Sequence, residues 1–368
     1  MKQRLPHYVV ENLDWRKSRD TTVLEDSLLN IAFAIVRIAA FIAGGFLFGL
    51  PVICLTVLKP SVDGELGELP PEARRRLGAR LEGLLQASIW AAGIGTVIAI
   101  VLQAVVVADL GNGRFGTNSV VDVLESSFGK WYLLRIPLLI GLAILLLGKV
   151  RELGWLGLRN GRSPSPMWWV TWLVMALGLV STNSFSGHAS VSSPLGAALA
   201  NDIVHLASGS IWFAGIVILS VVVPDVRRSL ESQRRAQFVG PLVVRFSSVA
   251  LTAIGLAALT GTLNSLFNVK AFEDLYSTGY GGLLTAKISA FLVVLALGAV
   301  NHFYVRRRFA AALAGTVHAD PHALFKRTIA MELTMALAIF SLTGALAGSA
   351  RTRESALGKG TIEISRRI

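Results

Sequence analysis

Residues 38–58, 84–108, 203–224 and 246–269 each run for more than twenty positions without an Asp, Glu, Lys or Arg. One crossing of the hydrocarbon layer takes about 20 apolar residues. In lipid every backbone N–H and C=O must be satisfied within the protein, so only helices or closed barrels cross it. The runs are continuously apolar rather than alternating, which excludes a barrel. With the shorter apolar segments included, the pattern predicts an all-α, polytopic integral membrane protein with about eight transmembrane helices in one bundle. The spans fall near 28–58, 83–108, 131–149, 166–186, 198–223, 243–266, 282–305 and 326–349. Polar tails at 1–27 and 350–368 flank this 28–349 domain, and residues 1–26 lack the apolar core of a cleavable signal peptide.

Only 16% of the residues are charged and 53% are hydrophobic, whereas soluble domains carry about 25% charged residues. The net charge of +12 sits in short clusters between apolar runs, such as Arg74-Arg75-Arg76 and Arg306-Arg307-Arg308. Such clusters mark loops facing an anionic cytoplasmic leaflet and do not point to nucleic acid. Alternate loops hold nineteen Lys and Arg against five. The basic set is therefore expected in the cytoplasm and both termini outside. Cys54 is the sole cysteine, so neither an intrachain disulfide nor a Cys-x-x-Cys motif exists. Trp131, Tyr132, Trp168, Trp169 and Trp172 read as interfacial anchors, and Gly45-x-x-x-Gly49 as an internal helix-packing seam.

Charged side chains inside spans are expensive and usually face a partner or a polar cavity. By the expected topology they sort into two depths. The charge-free segment containing His188 leads into the fifth span, where Asn201, Asp202 and His205 occupy the first turns. Asp202 and His205 share a face at i, i+3. Arg135, Lys287 and Asn264 belong to the same outer depth. Imidazole beside carboxylate suits copper or zinc, and the carboxylate would alternatively orient a histidine. The competing reading pairs Asp202 with Arg135 or Lys287 and leaves His205 as a helix bridge. The inner depth holds His302 and Glu332. Glu332 reads either as a cation or proton relay or as a salt-bridge partner of Arg327 or Arg245. Met331 and Met335 read as lipid-facing or core filler, and His7, His318 and His322 as solvated. Arg37, deep in the first span, is a candidate counter-charge for Asp202 or another acid. No hydrolase triad, phosphate loop or dinucleotide fingerprint is present, so no enzymatic activity is expected.

Several segments resemble the copper resistance protein D family of bacterial inner-membrane proteins. They are Ser186-Gly-His188-Ala, Asn201-Asp202-Ile-Val-His205-Leu, Ile211-Trp212-Phe-Ala-Gly215, and Phe246-Ser-Ser with Leu259-Thr260-Gly261-Thr-Leu-Asn264. Tyr280-Gly281 through Lys287, Gly298-Ala-Val-Asn301, Lys326-Arg327 with Glu332, and Ser127-Phe-Gly129 with Trp131 and Arg135 extend the similarity over about 120–350. The resemblance implies copper handling across the inner membrane, with His188 and His205 as periplasmic copper ligands. Asp202, Asn264, Glu332 and His302 then line the pathway, Arg37, Arg135 and Lys287 balance charge, and a periplasmic copper-binding protein is a candidate partner beside the lipid bilayer. Trp212-Phe-Ala-Gly215 is also similar to a family of small haem-binding membrane proteins. It raises b-type haem with His205 or His302 as axial ligand as an alternative. A non-catalytic subunit of a larger membrane complex is a third reading.

The orientation is open to a direct test. On a Cys54→Ala background, Arg234→Cys and Arg307→Cys are expected to resist a membrane-impermeant thiol reagent in intact cells, while Ser192→Cys reacts. Equal labelling of all three overturns the expected sidedness.

Overall fold

The computed structural model describes residues 8–62, 69–110, 115–150, 164–187, 194–268, 273–313 and 321–348, and among them no strand occurs. Helix α1 (Tyr8–Ile53) passes through a π-helical turn (Cys54–Leu58) into α2 (Lys59–Val62). Then follow α3 (Pro71–Leu110), α4 (Thr117–Glu125), α5 (Ser127–Val150), α6 (Pro166–Ser186), α7 (Leu195–Ser229) and α8 (Ser232–Asn268). After α9 (Asp274–Ser277), α10 (Gly279–Val300) runs through a second π-helical turn (Asn301–Val305) into α11 (Arg306–Leu313), and α12 (Pro321–Gly348) completes the described chain. Starts are set locally. Ser165 accepts from the Trp168 backbone N–H with Pro166 in the first turn, Thr278 accepts from that of Gly281, and Pro71 and Pro321 open α3 and α12.

Seven described segments are long and apolar enough to cross a membrane: Ile31–Ser61, Pro71–Ala108, Ser127–Gly148, Leu195–Val226, Gln237–Leu266, Gly279–Phe309 and Leu324–Leu346. The remaining expected span, the fourth at 166–186, coincides with α6. It has the length, 21 residues, but its indole rings and its polar end from Ser181 to Ser186 dilute its apolarity. Outward faces carry apolar stripes at helical spacing, as with Trp90, Ile94, Val97 and Val101 on α3 and Ile140, Ile144 and Leu147 on α5. In lipid these stripes are the solvated surface. Met331 is likewise exposed, and Met335 packs against the core.

Helix α1 is the hub, packed against α3, α6, α7 and α12. A Cβ added at Gly45 would lie 2.6 Å from Ser210 Oγ, and one added at Gly49 would meet the Ser210 carbonyl and, at 2.9 Å, Ala214 Cβ. The glycine pair is thus an internal seam on which α7 rides with its backbone, the role small residues serve in membrane bundles.

The tryptophans depart from expectation. Trp168, Trp169 and Trp172 are buried among the helices rather than turned outward to lipid. Trp168 meets Trp169 edge-on and stacks on Trp172, and its Nε1–H donates to Leu145 O at 3.3 Å. The physical reason for Trp172 lies on another helix. Pro51 is inside α1 and has no N–H, so the carbonyl four residues earlier, Leu47 O, loses its intrahelical donor. Trp172 Nε1–H donates to that oxygen at 2.9 Å. The expected cost of Trp172→Phe is about 1–3 kcal/mol for the orphaned carbonyl, read by unfolding in detergent. In a Pro51→Ala background, where residue 51 regains its N–H, the same substitution is expected to cost measurably less. Equal losses in both backgrounds would remove this account.

Candidate cation site and its polar neighbours

The first cluster lies where α7 begins and α8 ends. Asn201 Nδ2 donates to Thr260 O at 2.9 Å and to Asn264 Oδ1 at 2.8 Å. Asn264 Nδ2 donates in turn to Asp202 Oδ1 at 3.0 Å. His205, one turn further along α7, brings Nδ1 to 3.0 Å from Ala257 O and 3.2 Å from Thr260 Oγ1. A carbonyl oxygen only accepts, and the Thr260 hydroxyl gives its own hydrogen to Leu256 O at 2.5 Å. Nδ1 therefore carries the proton, and in the neutral ring the free lone pair is on Nε2. The ring lies against Gly261, where an added Cβ would sit 3.0 Å from His205 Cε1. Lys287 of α10 is the basic group whose charge acts on both Asp202 and His205.

The other predicted cations lie elsewhere in the bundle. Arg135 donates through Nε to Thr182 Oγ1 at 2.8 Å and through Nη2 to Asn183 Oδ1 at 2.6 Å. Its guanidinium stands 3.8 Å over the Tyr132 ring. Arg37 lies over the Phe33 ring at 4.2 Å and within Coulombic range of Arg135. His188 falls outside the described residues, as do His7 and His318, and His322 belongs to the first turn of α12 rather than to a loop.

The second cluster is built on the π-helical turn of residues 301–305. Asn301 Nδ2 donates to Glu332 Oε1 at 2.7 Å, and Asn301 Oδ1 accepts from Thr328 Oγ1 at 2.6 Å. The next residue, His302, turns to α8 instead, with Nδ1 2.7 Å from Ser247 Oγ. Glu332 is buried with an amide as its partner, not the guanidinium of Arg245 or Arg327. At this same end of the bundle Arg80 Nη1 pairs with Asp225 Oδ1 at 2.8 Å, tying α3 to α7. Thr260, Thr328 and Ser247 carry no charge and are not among the site residues expected from the sequence. Ser247 and Thr260 fall inside the segments that carry the family resemblance, and the signal for Thr328 is a hydroxyl one turn before Glu332.

Among the described residues no three His, Cys, Asp or Glu side chains gather to hold a metal ion. What the bundle presents is one histidine with a fixed tautomer beside a carboxylate, and further along a carboxylate held by an amide beside a second histidine. Residues 240–346 match the family described as copper resistance protein D, and residues 27–198 match the copper resistance protein D-like N-terminal domain. The chain belongs to the copper resistance protein D family.

Family likeness thus begins near residue 27, well before the 120–350 region that the motifs suggested. Asp202 and His205 lie between the two matches, and Asn264, Lys287, His302 and Glu332 lie inside the second. The chain is 28% identical over 253 residues to the copper transport protein CutJ of Bacillus subtilis (strain 168), covering 67% of this chain and 43% of CutJ. It therefore spans less than half the length of that relative. To copper resistance protein D of Pseudomonas syringae pv. tomato it is 23% identical over 315 residues, covering 83% of this chain and 93% of the relative. No solved structure matches the chain.

The amide partner of Glu332 makes a stability test informative. Glu332→Gln keeps an oxygen to accept from Asn301 and strands no cation. Its unfolding free energy in detergent is expected to stay within about 1 kcal/mol of the parent. A loss of about 3–5 kcal/mol would mean a buried charge pair had been broken.

Proposed function

We propose that this family member carries copper across a bacterial inner membrane as a permease, without ATP hydrolysis of its own. Copper is cargo in this reading. It binds at His205 and His188 on the periplasmic side, with Asp202 balancing charge, and passes among α7, α8, α10 and α12 toward Glu332 and His302. Both termini lie outside, and a periplasmic copper-binding protein delivers or receives the ion. The named relatives, a copper transport protein and a copper resistance protein, support copper as the metal.

The observation that carries the proposal is the hydrogen bonding of His205. A histidine that ligates metal through one nitrogen almost always donates its other N–H to a carbonyl, carboxylate or water. His205 does so from Nδ1 to Ala257 O at 3.0 Å, which leaves Nε2 as the ligating atom, and imidazole suits copper. A sparse ligand set agrees with transit, because a conducted ion must bind well enough to be taken up and weakly enough to leave. Asn264, by fixing Asp202 Oδ1 at 3.0 Å, holds the carboxylate ready without neutralising it. Glu332, fixed by Asn301 rather than by a cation, supplies the next negative group along the bundle.

Metal analysis and absorbance of the purified protein test this. His188→Ala and His205→Ala are each expected to remove most copper binding, with the double variant little worse than either. Asp202→Asn is expected to weaken binding less than either histidine loss, by about 10–100-fold. Glu332→Gln is expected to bind copper normally and to slow its flux into proteoliposomes. Full copper binding by His188→Ala, together with a Soret band lost in His205→Ala, would replace this reading with a b-type haem protein.

A further inference from the structure

Arg135 is the buried member among the described Lys and Arg residues, with 4% of its surface exposed. It lies inside a span, where an uncompensated charge is costly. Its hydrogen-bond acceptors are neutral. Thr182 passes its own proton to Leu179 O at 2.6 Å, and Asn183 donates its amide to Val180 O at 3.1 Å, so both oxygens are turned to the guanidinium. Two of the five N–H donors of Arg135 are used this way, the Tyr132 side chain is a further neutral partner, and no carboxylate pairs with it among the described residues. Arg37 adds a second positive charge within Coulombic range.

Arg135 borders a small space next to the helix face that carries Arg37. Arg37, Ala40 and Gly44 stand at i, i+3 and i+7 on one face of α1. Ala40 and Gly44 then line a cavity of about 10 Å³ together with Ala92, Thr96, Arg135, Leu179 and Asn183. That is room for the centre of a single water-sized particle. It admits neither a phosphate nor an organic carboxylate.

We infer that this cavity binds a small monovalent inorganic anion, chloride being the common member of the class, held by Arg135. An anion here compensates the charge of Arg135, which no carboxylate among the described residues meets, in a medium where Coulomb forces are strong. Water in the same place would solvate the guanidinium and leave the charge. The anion site is separate from the His205 cluster and does not depend on copper being the cargo.

The test uses the full chain in detergent, in sodium gluconate at constant ionic strength, titrated with sodium chloride and followed by chloride NMR line broadening. Saturable broadening displaced by bromide is expected for the parent, and its loss in Arg135→Gln. Gly44→Ala separates binding from folding. Its added methyl group would sit 3.8 Å from Leu179 Cδ2, an ordinary contact, while taking up space in the cavity. It is expected to weaken chloride at least tenfold and to melt in gluconate as the parent does. Gly83→Ala, whose added group meets nothing within 4 Å, is the unchanged control. Broadening that does not saturate, or that persists equally in Gly44→Ala, would mean the cavity holds water and would overturn the anion site. If Arg135→Gln fails to fold, the Gly44→Ala comparison decides alone.

Discussion

A helix in lipid has nowhere to lose a hydrogen bond, and α1 gives one up by placing Pro51 inside its span. The carbonyl that Pro51 strands, Leu47 O, is recovered by the Trp172 indole from α6 at 2.9 Å. Close by, Gly45 and Gly49 clear the surface on which the α7 backbone lies. One stretch of about a turn and a half therefore fixes both the approach of α6 and the height of α7. His205 precedes Ser210, the α7 residue seated on the glycines, by five positions, about 7.5 Å along the helix. The depth at which an imidazole is offered to an ion is in this way set by glycines on a different helix.

The polar residues of the interior follow a common rule, that acids and bases are held by neutral groups. Asp202 is met by Asn264, Glu332 by Asn301, and Arg135 by Thr182 and Asn183. Interhelical hydrogen bonds of this kind average only about 0.6 kcal/mol in membranes, so they contribute modestly to stability. Their effect is to orient charge without cancelling it. A tight Asp–Lys or Glu–Arg pair would have no reason to exchange its partner for a passing cation. The Arg80–Asp225 pair at 2.8 Å is the contrast, a direct ion pair joining α3 and α7 at the end of the bundle away from His205.

Much of this was legible in the chain itself. Charge-free runs announced the spans, and Gly45-x-x-x-Gly49 announced a seam, because both signals depend only on composition and spacing. The placement of Asp202 and His205 on one face of α7 followed from helical geometry. What stayed hidden was helix rotation. A sequence shows that Arg135 and Lys287 lie at one depth, but not which of them turns toward Asp202, and it is Lys287 whose charge acts there. Trp168, Trp169 and Trp172 misled because an indole serves equally well at an interface or as a buried donor, and the stranded carbonyl that decides the matter sits on another helix. The apolarity of α6 was diluted by those same rings. His188 lies beyond the described residues, so its relation to His205 rests on chain order and residue type.

The π-helical turn at Asn301–Val305 has a consequence for how such a protein can change over time. A π turn is an α-helix that has taken in one extra residue. Here Asn301 addresses α12 and His302 addresses α8, two neighbours served by consecutive positions. Deleting a single residue from the turn would restore regular α-helix and leave the membrane anchoring of Gly279–Val300 intact. Because the extra residue is taken up within the turn, the helix after it, Arg306–Leu313, would keep nearly the same facing. What a single-codon deletion removes is the double address, the pair of consecutive side chains that reach α12 and α8, while the bundle that crosses the lipid keeps its packing.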